Sequence, residues 1–431
     1  MGVDVIVIGA GYGGLTAAAI LAHNGVEVEL FEATGHLGGR ASFDRKDGFL
    51  VDYGIHANRY GAEGAAAAAL KQIGHEIDFV SMGEPKLWRG GEFVDLPAGV
   101  PEFLKAGFLS PGDKMVLIGD MLKLVLASPA KKADVRLSNS LWGLKRPEVS
   151  SIFKVLSGIG LVCPDIDLTS TGYFSTFLKT ALKAKESVAY PRGGTSQLIE
   201  ALSGKVESVG KITLNSRVKS IEFDSDKARG VRIKDDMFEA KAIVVAVPLQ
   251  KLPELAADGI SESLAARSET IVPTAGISID LCLASKVSDI DGLVVTPEPL
   301  TMGQFTSNID PSTAPDGKQL ATFYYPLPIA SMEDRDIVET EEKRFMALLN
   351  EMFPGITEKV EWERVLKLKM VDGFEPRVGQ TAKDRPGCSV PGTDNMFIAG
   401  DAVAGPGNGG DVAFATGVEA AQSAMAYLKQ V

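Results

Sequence analysis

The 431-residue sequence predicts an α/β fold, and three observations predict it. A short β-branched run near the start leads directly into a glycine-rich turn, a helical run and a second strand. Short alternating runs between residues 212 and 247 read as a β-meander followed by a buried strand. Near the far end, another strand passes through a glycine loop into a long helix.

Bulk properties bound the answer. The chain is long enough for two or three domains with a large core, and 45% hydrophobic against 23% charged is a globular balance. A net charge of −12 excludes a nucleic-acid binder, because phosphate is repelled. Peripheral docking on a membrane through an apolar patch is compatible with that charge. Cys163, Cys282 and Cys388 are far apart, so neither a dithiol site nor a zinc knuckle is readable, and no metal site is expected. Sparse cysteine suits a reducing cytosol, and a cytoplasmic location is expected. Val3 to Ile8 is too short for a signal peptide. The nearest approach to a membrane span, Met115 to Ala127, is broken by Asp120 and Lys123.

The first element, Val3 to Ile8, is continuous and β-branched, the pattern of a buried parallel strand. Gly9-Ala10-Gly11-Tyr12-Gly13-Gly14 follows at once, then the alanine-rich run Leu15 to His23, then the strand Val26 to Phe31 ending in Glu32. Gly9 permits the tight turn, Gly11 lets backbone approach a pyrophosphate, and Gly14 lets helix and strand pack closely. The helix N-terminus offers free N–H groups and a positive dipole end. Glu32 stands where a carboxylate reaches ribose hydroxyls. Strand, turn, helix and acid in register predict a Rossmann-type dinucleotide-binding unit, without separating FAD from NAD.

The next segment helps. Gly38-Gly39-Arg40 offers a second backbone approach and a cation to neutralise phosphate. Phe49 to His56 is a strand running into an Asp52-Tyr53-Gly54 turn. In these motifs the chain resembles the FAD-dependent amine oxidase superfamily, especially its phytoene desaturase-like branch. The resemblance implies FAD held by Gly9, Gly11, Tyr12, Gly13, Gly14, Glu32, Ala33, Gly38, Gly39 and Arg40, with Gly54, Ile55 and His56 beside the flavin. It reads Tyr190-Pro191-Arg192-Gly193-Gly194-Thr195 as re-entry into the FAD domain, and brings Val218 to the adenine through its backbone. Met396 to Asp401 ends in a Gly400-Asp401 pair, which the resemblance implies holds the ribityl or pyrophosphate part. By the same resemblance the last helix, read as Asp411 to Leu428, aims its N-terminus, with Gly410, Asp411 and Val412, at the flavin N1–C2=O edge, where reduction places negative charge. Gly405 to Gly410 also spells GxGxxG, but no strand and acid follow it, so it reads as a loop at the flavin edge.

The implied architecture is an FAD/NAD(P)-binding domain from 1–62, 186–250 and 390–431, with an α+β substrate domain inserted as 63–185 and 251–389. Within the insertions the sequence predicts a hairpin turning at Gly90-Gly91, helices over Asp113 to Ala127, Ser150 to Val162 and Asp334 to Phe353, and strands over Ala275 to Leu283 and Leu320 to Tyr325. The apolar stretches Val100 to Leu109 and Met115 to Ala127 have the spacing of amphipathic helices.

Flavin carries the chemistry in such a protein. The expected function is oxidation or desaturation of a hydrophobic, isoprenoid- or carotenoid-like substrate by hydride transfer to flavin N5. Amine oxidation, a redox-neutral isomerisation and flavin binding without turnover are the alternatives. The electron acceptor, whether quinone, oxygen or protein, is not legible. The candidate catalytic residues are His56, Tyr190 and Arg377, the last on a late strand reaching the flavin; Arg192 is weaker, since a carboxylate can claim it.

Overall fold

The computed structural model of the chain describes residues 2–97, 99–185, 188–257 and 259–431. The expected domain boundary at 186 lies outside the described residues.

The opening strand, β1 (Val3–Ile8), has Val5, Ile6 and Val7 wholly buried, as a parallel strand covered on both faces requires. Gly9 (φ 98°) turns the chain into α1 (Tyr12–His23). This helix has no polar face: Leu15, Ala17, Ala18, Ala19 and Leu21 are all buried. Such a helix must be enclosed. It lies between α2 (Gly194–Glu207) and α3 (Gly410–Leu428). At the α3 crossing, a methyl on Gly417 would stand 2.6 Å from Gly13 O.

β2 (Val28–Phe31) pairs parallel with β1, and β3 (Lys211–Thr213) pairs parallel with β2. β4 (Val218–Asp224), β5 (Lys227–Ile233) and β6 (Asp236–Val245) form an antiparallel meander. The sheet order is β3-β2-β1-β6-β5-β4, with β7 (Met396–Ile398) also parallel on β6.

Two strand expectations are corrected here. The run at Ile212 is not the first meander strand. It arrives from α2 as a crossover and so joins the parallel edge. The run Ala242 to Val247 is not a separate strand. It is the end of β6, whose first half closes the meander and whose second half inserts between β1 and β7.

The second large sheet has the order Val360–Leu368, Ala275–Leu283, Gln319–Leu327, Leu300–Gln304, Gly292–Pro297, Gly83–Trp88, Phe93–Asp95. The Gly90-Gly91 hairpin forms as expected, with Trp88 opposite Phe93. Helices Pro111–Leu126, Pro147–Leu161 and Thr171–Ala181 pack into one core through Leu117, Ile152, Phe153 and Phe174. Helix Arg335–Met352 packs into another through Phe345 and Leu349.

Arg364 on the outermost strand ties this sheet to the strands Phe43–Lys46 and Phe49–Asp52. It pairs with Asp280 (2.8 Å) and Asp44 (2.7 Å), donates to Asp52 O (2.6 Å) and lies 4.2 Å from the Tyr53 ring centroid. Burial pushes Asp280 up to about 6, against the pull of Arg364 and Thr322.

Candidate functional site

A cavity of about 900 Å³ runs between the two sheets. At one end its walls are Ile8, Gly9, Gly11, Tyr12, Gly13, Phe31, Glu32, Ala33 and Val218. The Glu32 carboxylate is fixed from three directions: Ala10 N donates to Oε2 (2.9 Å), while Thr34 N and Oγ1 donate to Oε1 (2.8 and 2.9 Å).

The glycines divide by role. A methyl on Gly14 would lie 1.9 Å from Gly9 O, so Gly14 serves packing and stays out of the cavity wall. A methyl on Gly11 would meet no protein atom within 4 Å and would project into open space. Gly38 (φ 94°) and Gly39 (φ 58°) bring the second glycine loop against the first: Gly38 N donates to Ala10 O (2.8 Å). No side chain caps the first turn of α1 or of α3, and both N-termini border the cavity. A cavity walled by bare backbone, with two open helix ends and an acid at its rim, fits an extended dinucleotide.

Midway along, Arg40 is not free to neutralise phosphate. Its guanidinium forks onto Asp401 (both N···O 2.7 Å) and also donates to Val371 O (3.1 Å). Gly373 N completes the Asp401 shell (2.6 Å). Burial alone would raise Asp401; the Arg40 charge and these hydrogen bonds outweigh it and hold the carboxyl below its usual range.

The turn residue Asp52 is a structural hub. Its buried carboxylate accepts Tyr190 Oη (2.7 Å), Thr195 Oγ1 (2.7 Å) and Thr195 N (3.1 Å). It thereby joins the Asp52-Tyr53-Gly54 turn to the Gly193-Gly194-Thr195 segment.

That bond decides Tyr190. It is fully buried, faces Asp52 and does not line the cavity. Arg192 pairs with Asp78 (2.6 Å). Arg377 also lies away from the walls. Its segment is a loop bridged to Thr169, not the expected strand, because Pro376 has no amide to give a ladder. Its side chain pairs with Glu375 (3.1 Å). Of the three catalytic candidates only His56 lines the cavity, beside Gly54 and Ile55. Its Nε2 donates to Tyr53 O (3.1 Å), and burial holds its imidazolium down, below the ordinary value, against Asp52. Gly400, Asp401, Gly410 and Asp411 are also in the walls, whereas Val412 is core.

The far end is built from scattered side chains. Ser278, Tyr324 and Met302 stand opposite one another on three adjacent strands and form one row of the floor. Ile159, Val162, Leu293, Leu368 and Met370 close the sides. Arg59 donates to Asn408 O (3.3 Å), Gly160 O (3.1 Å) and Asp411 Oδ2 (3.4 Å), joining the Pro147–Leu161 helix to the start of α3. Asp372 lies beside it. Sequence reasoning missed Arg59, Asp372, Met302 and Tyr324. Arg59 is near enough to the Asp52-Tyr53-Gly54 turn that extending that motif by one strand finds it; nothing in the sequence marks the others.

Among the described residues there is no metal-holding cluster of histidine, cysteine or acid, and no helix long and apolar enough to cross a membrane.

Over residues 12–425 the chain matches the family described as flavin containing amine oxidoreductase. It is 26% identical to coproporphyrinogen III oxidase of Staphylococcus aureus, spanning 75% of this chain and 78% of that relative. It is also 26% identical to phytoene desaturase of Fusarium fujikuroi, over 75% of this chain and 66% of that relative. Its fold is that of an oxidoreductase from Methanosarcina mazei, with a TM-score of 0.81 at 21% identity, covering 97% of this chain and 100% of the other.

Proposed function

The chain belongs to the flavin containing amine oxidoreductase family and is an FAD-dependent oxidoreductase, and from that premise we propose that it desaturates an apolar, isoprenoid-like substrate. The carrying observation is the far end of the cavity, where Ile159, Val162, Leu293, Leu368 and Met370 present an apolar wall beside Met302 in the row of sheet residues. Such a wall favours a long hydrocarbon through burial.

Bound FAD supplies the hydride acceptor. The residues at the near end would hold it: Glu32 would accept from ribose hydroxyls, the Gly9 to Gly14 turn and α1 would give amides to the diphosphate, and Val218 would offer its backbone to the adenine. Gly38 and Gly39 keep side chains out of its path. The Arg40–Asp401 pair would brace the middle, and Gly54, Ile55 and His56 would flank the ring. The open end of α3, at Gly410 and Asp411, would face the negative charge that reduction creates.

The test is anaerobic titration of the flavin-loaded protein with a polyprenoid, a porphyrinogen and a panel of amines. Bleaching of the flavin by the polyprenoid, with a product longer in conjugation, is expected. Bleaching by amines or the porphyrinogen alone overturns the substrate reading and leaves the oxidoreductase in place.

Delivery of such a substrate from a bilayer belongs to the same reading. Leu104, Met115, Leu122, Leu126 and Trp142 all point outward, with Lys123 over the Trp142 ring (4.5 Å) and Lys114 donating to Leu104 O (2.7 Å). Apolar side chains interleaved with lysines suit the surface of an anionic membrane. Leu122→Glu is expected to lower co-sedimentation with phosphatidylglycerol vesicles about tenfold, the ~1.4 kcal/mol of one lost apolar contact. Unchanged binding removes this surface from the reading.

A further inference from the structure

Most acids lining the cavity are engaged. Glu32 accepts backbone amides, Glu254 pairs with Lys251, Asp401 with Arg40 and Asp411 with Arg59. Asp372 differs. Its backbone is clamped: Thr274 Oγ1 accepts its amide (2.8 Å) and its carbonyl accepts Thr274 N (3.1 Å). Its carboxyl group has no hydrogen-bond donor among the described residues, although it stands in the cavity wall. It lies hard against Gly409, the N-cap residue just before α3; a methyl there would be 2.4 Å from Asp372 Oδ1. The backbone thus fixes an unpaired carboxyl beside the helix end that faces the flavin ring in the reading above.

We propose that Asp372 is the proton-holding residue of this site, taking up one proton for each electron pair delivered to the bound flavin and so keeping the charge of the cavity constant. The inference rests on the ring lying at the α3 end. Reduction adds an electron pair and one proton to the ring, a net gain of one negative charge. A further proton adds to the Asp372 carboxylate and removes one. With a chemical reductant both protons come from solvent. In turnover the substrate gives up a hydride and, from the adjacent carbon, a proton; the hydride goes to the ring and the proton to Asp372.

The surroundings set the working range. Burial and the Asp401 carboxylate push Asp372 up to about 6, with Arg59 and Arg40 pulling down and Asp411 adding to the rise. Asp401 with Arg40, and Asp411 with Arg59, are the charges that face it; His56 lines the same cavity. Above pH 6 the carboxyl is therefore ionised while the flavin is oxidised. A new negative charge nearby raises its proton affinity further, since like charges disfavour the ionised form.

The experiment is the pH dependence of the midpoint potential of the bound flavin in the holoenzyme. Above about pH 6 the wild type is expected to show twice the slope of a single-proton couple, falling to the single-proton slope below it. Asp372→Asn, nearly the same shape, is expected to show the single-proton slope throughout, and Asp372→Glu to restore the doubled slope. A wild type with a single-proton slope at all pH overturns the proposal. So does a second proton that survives in Asp372→Asn, since it then belongs to the ring or to His56. Flavin content separates the failures: a colourless protein that takes up no FAD removes the placement of the ring as well, whereas a yellow protein with the wrong slope removes only the role of Asp372.

Discussion

The two ends of the cavity are built in opposite ways. At the glycine-rich end bare backbone supplies much of the wall: glycines at 9, 11, 13, 38 and 39, and the open first turn of α1. At the other end the wall is side chain, drawn from segments as distant in sequence as Ile55, Ile159, Leu293, Tyr324 and Met370. Backbone recognition needs particular residues at particular φ and spacing, because any Cβ blocks the approach. Side-chain recognition needs only the right total shape and polarity, which many sequences satisfy. The first end is therefore rigid in its demands and the second tolerant.

The largest effect should come from the glycines, and it should split between two neighbours. Gly14→Ala places a methyl 1.9 Å from Gly9 O, where both β1 and α1 are locked in the core. A loss of at least ~3 kcal/mol is expected, enough to abolish soluble folded protein. Gly11→Ala meets no protein atom within 4 Å, so the apoprotein should unfold within ~1 kcal/mol of wild type. Its methyl occupies the space the diphosphate needs, and flavin affinity should fall about 10- to 100-fold, or ~1.4–2.8 kcal/mol. Denaturant midpoints of the apoproteins and fluorescence titration with FAD separate the two. Equal loss of stability in both would mean the Gly11 backbone faces protein, and the contrast between the ends would fail there.

The same division explains what was legible. The opening strand–turn–helix–strand unit, Glu32, and the closing strand and helix could be read because the turn forces glycine and the buried elements force their periodicity. β3 was misassigned because its three residues look alike in either partnership; only the crossover from α2 sends them to the parallel edge. Arg40 carries a charge whose sign the sequence gives and whose partner it does not, since Asp401 lies 361 residues away. Tyr190 looked reactive for the same reason: its partner Asp52 is 138 residues distant. Asp372 and Tyr324 sit in no motif at all, because the tertiary fold alone brings them to the wall.

Asp52 stands at the junction of the two ends and should give the next largest effect. Asp52→Ala strands Tyr190 Oη and Thr195 N and Oγ1, all in buried surroundings. Leaving buried donors unpaired costs about 1–3 kcal/mol for each group that finds no water, and a combined loss of roughly 3–5 kcal/mol is expected by thermal or denaturant unfolding. Tyr190→Phe removes one donor together with its demand, and should cost only about 1 kcal/mol and leave flavin reduction rates unchanged. A large rate loss in Tyr190→Phe at normal stability would return Tyr190 to the chemistry.

The smallest effect tests the tolerant end. Met370 lines the cavity without belonging to any of the buried cores, so its side chain is available for substrate contact and carries little of the fold. Met370→Ala should change stability by less than ~1 kcal/mol and leave FAD affinity unaltered, because Met370 is in none of the buried cores and outside the glycine-lined stretch of wall. For an apolar substrate the lost contact should raise KM about tenfold, near the ~1.4 kcal/mol expected for a partly buried side chain, with kcat changed far less. A bulkier substrate analogue should recover part of that loss by refilling the space. The contrast with Gly11→Ala is then direct: adding one methyl at the backbone-walled end costs the cofactor, whereas removing several heavy atoms at the side-chain-walled end only retunes the substrate. Loss of flavin from Met370→Ala would break that contrast, since it would place the ring over Met370 and move the boundary between the two ends toward Leu368.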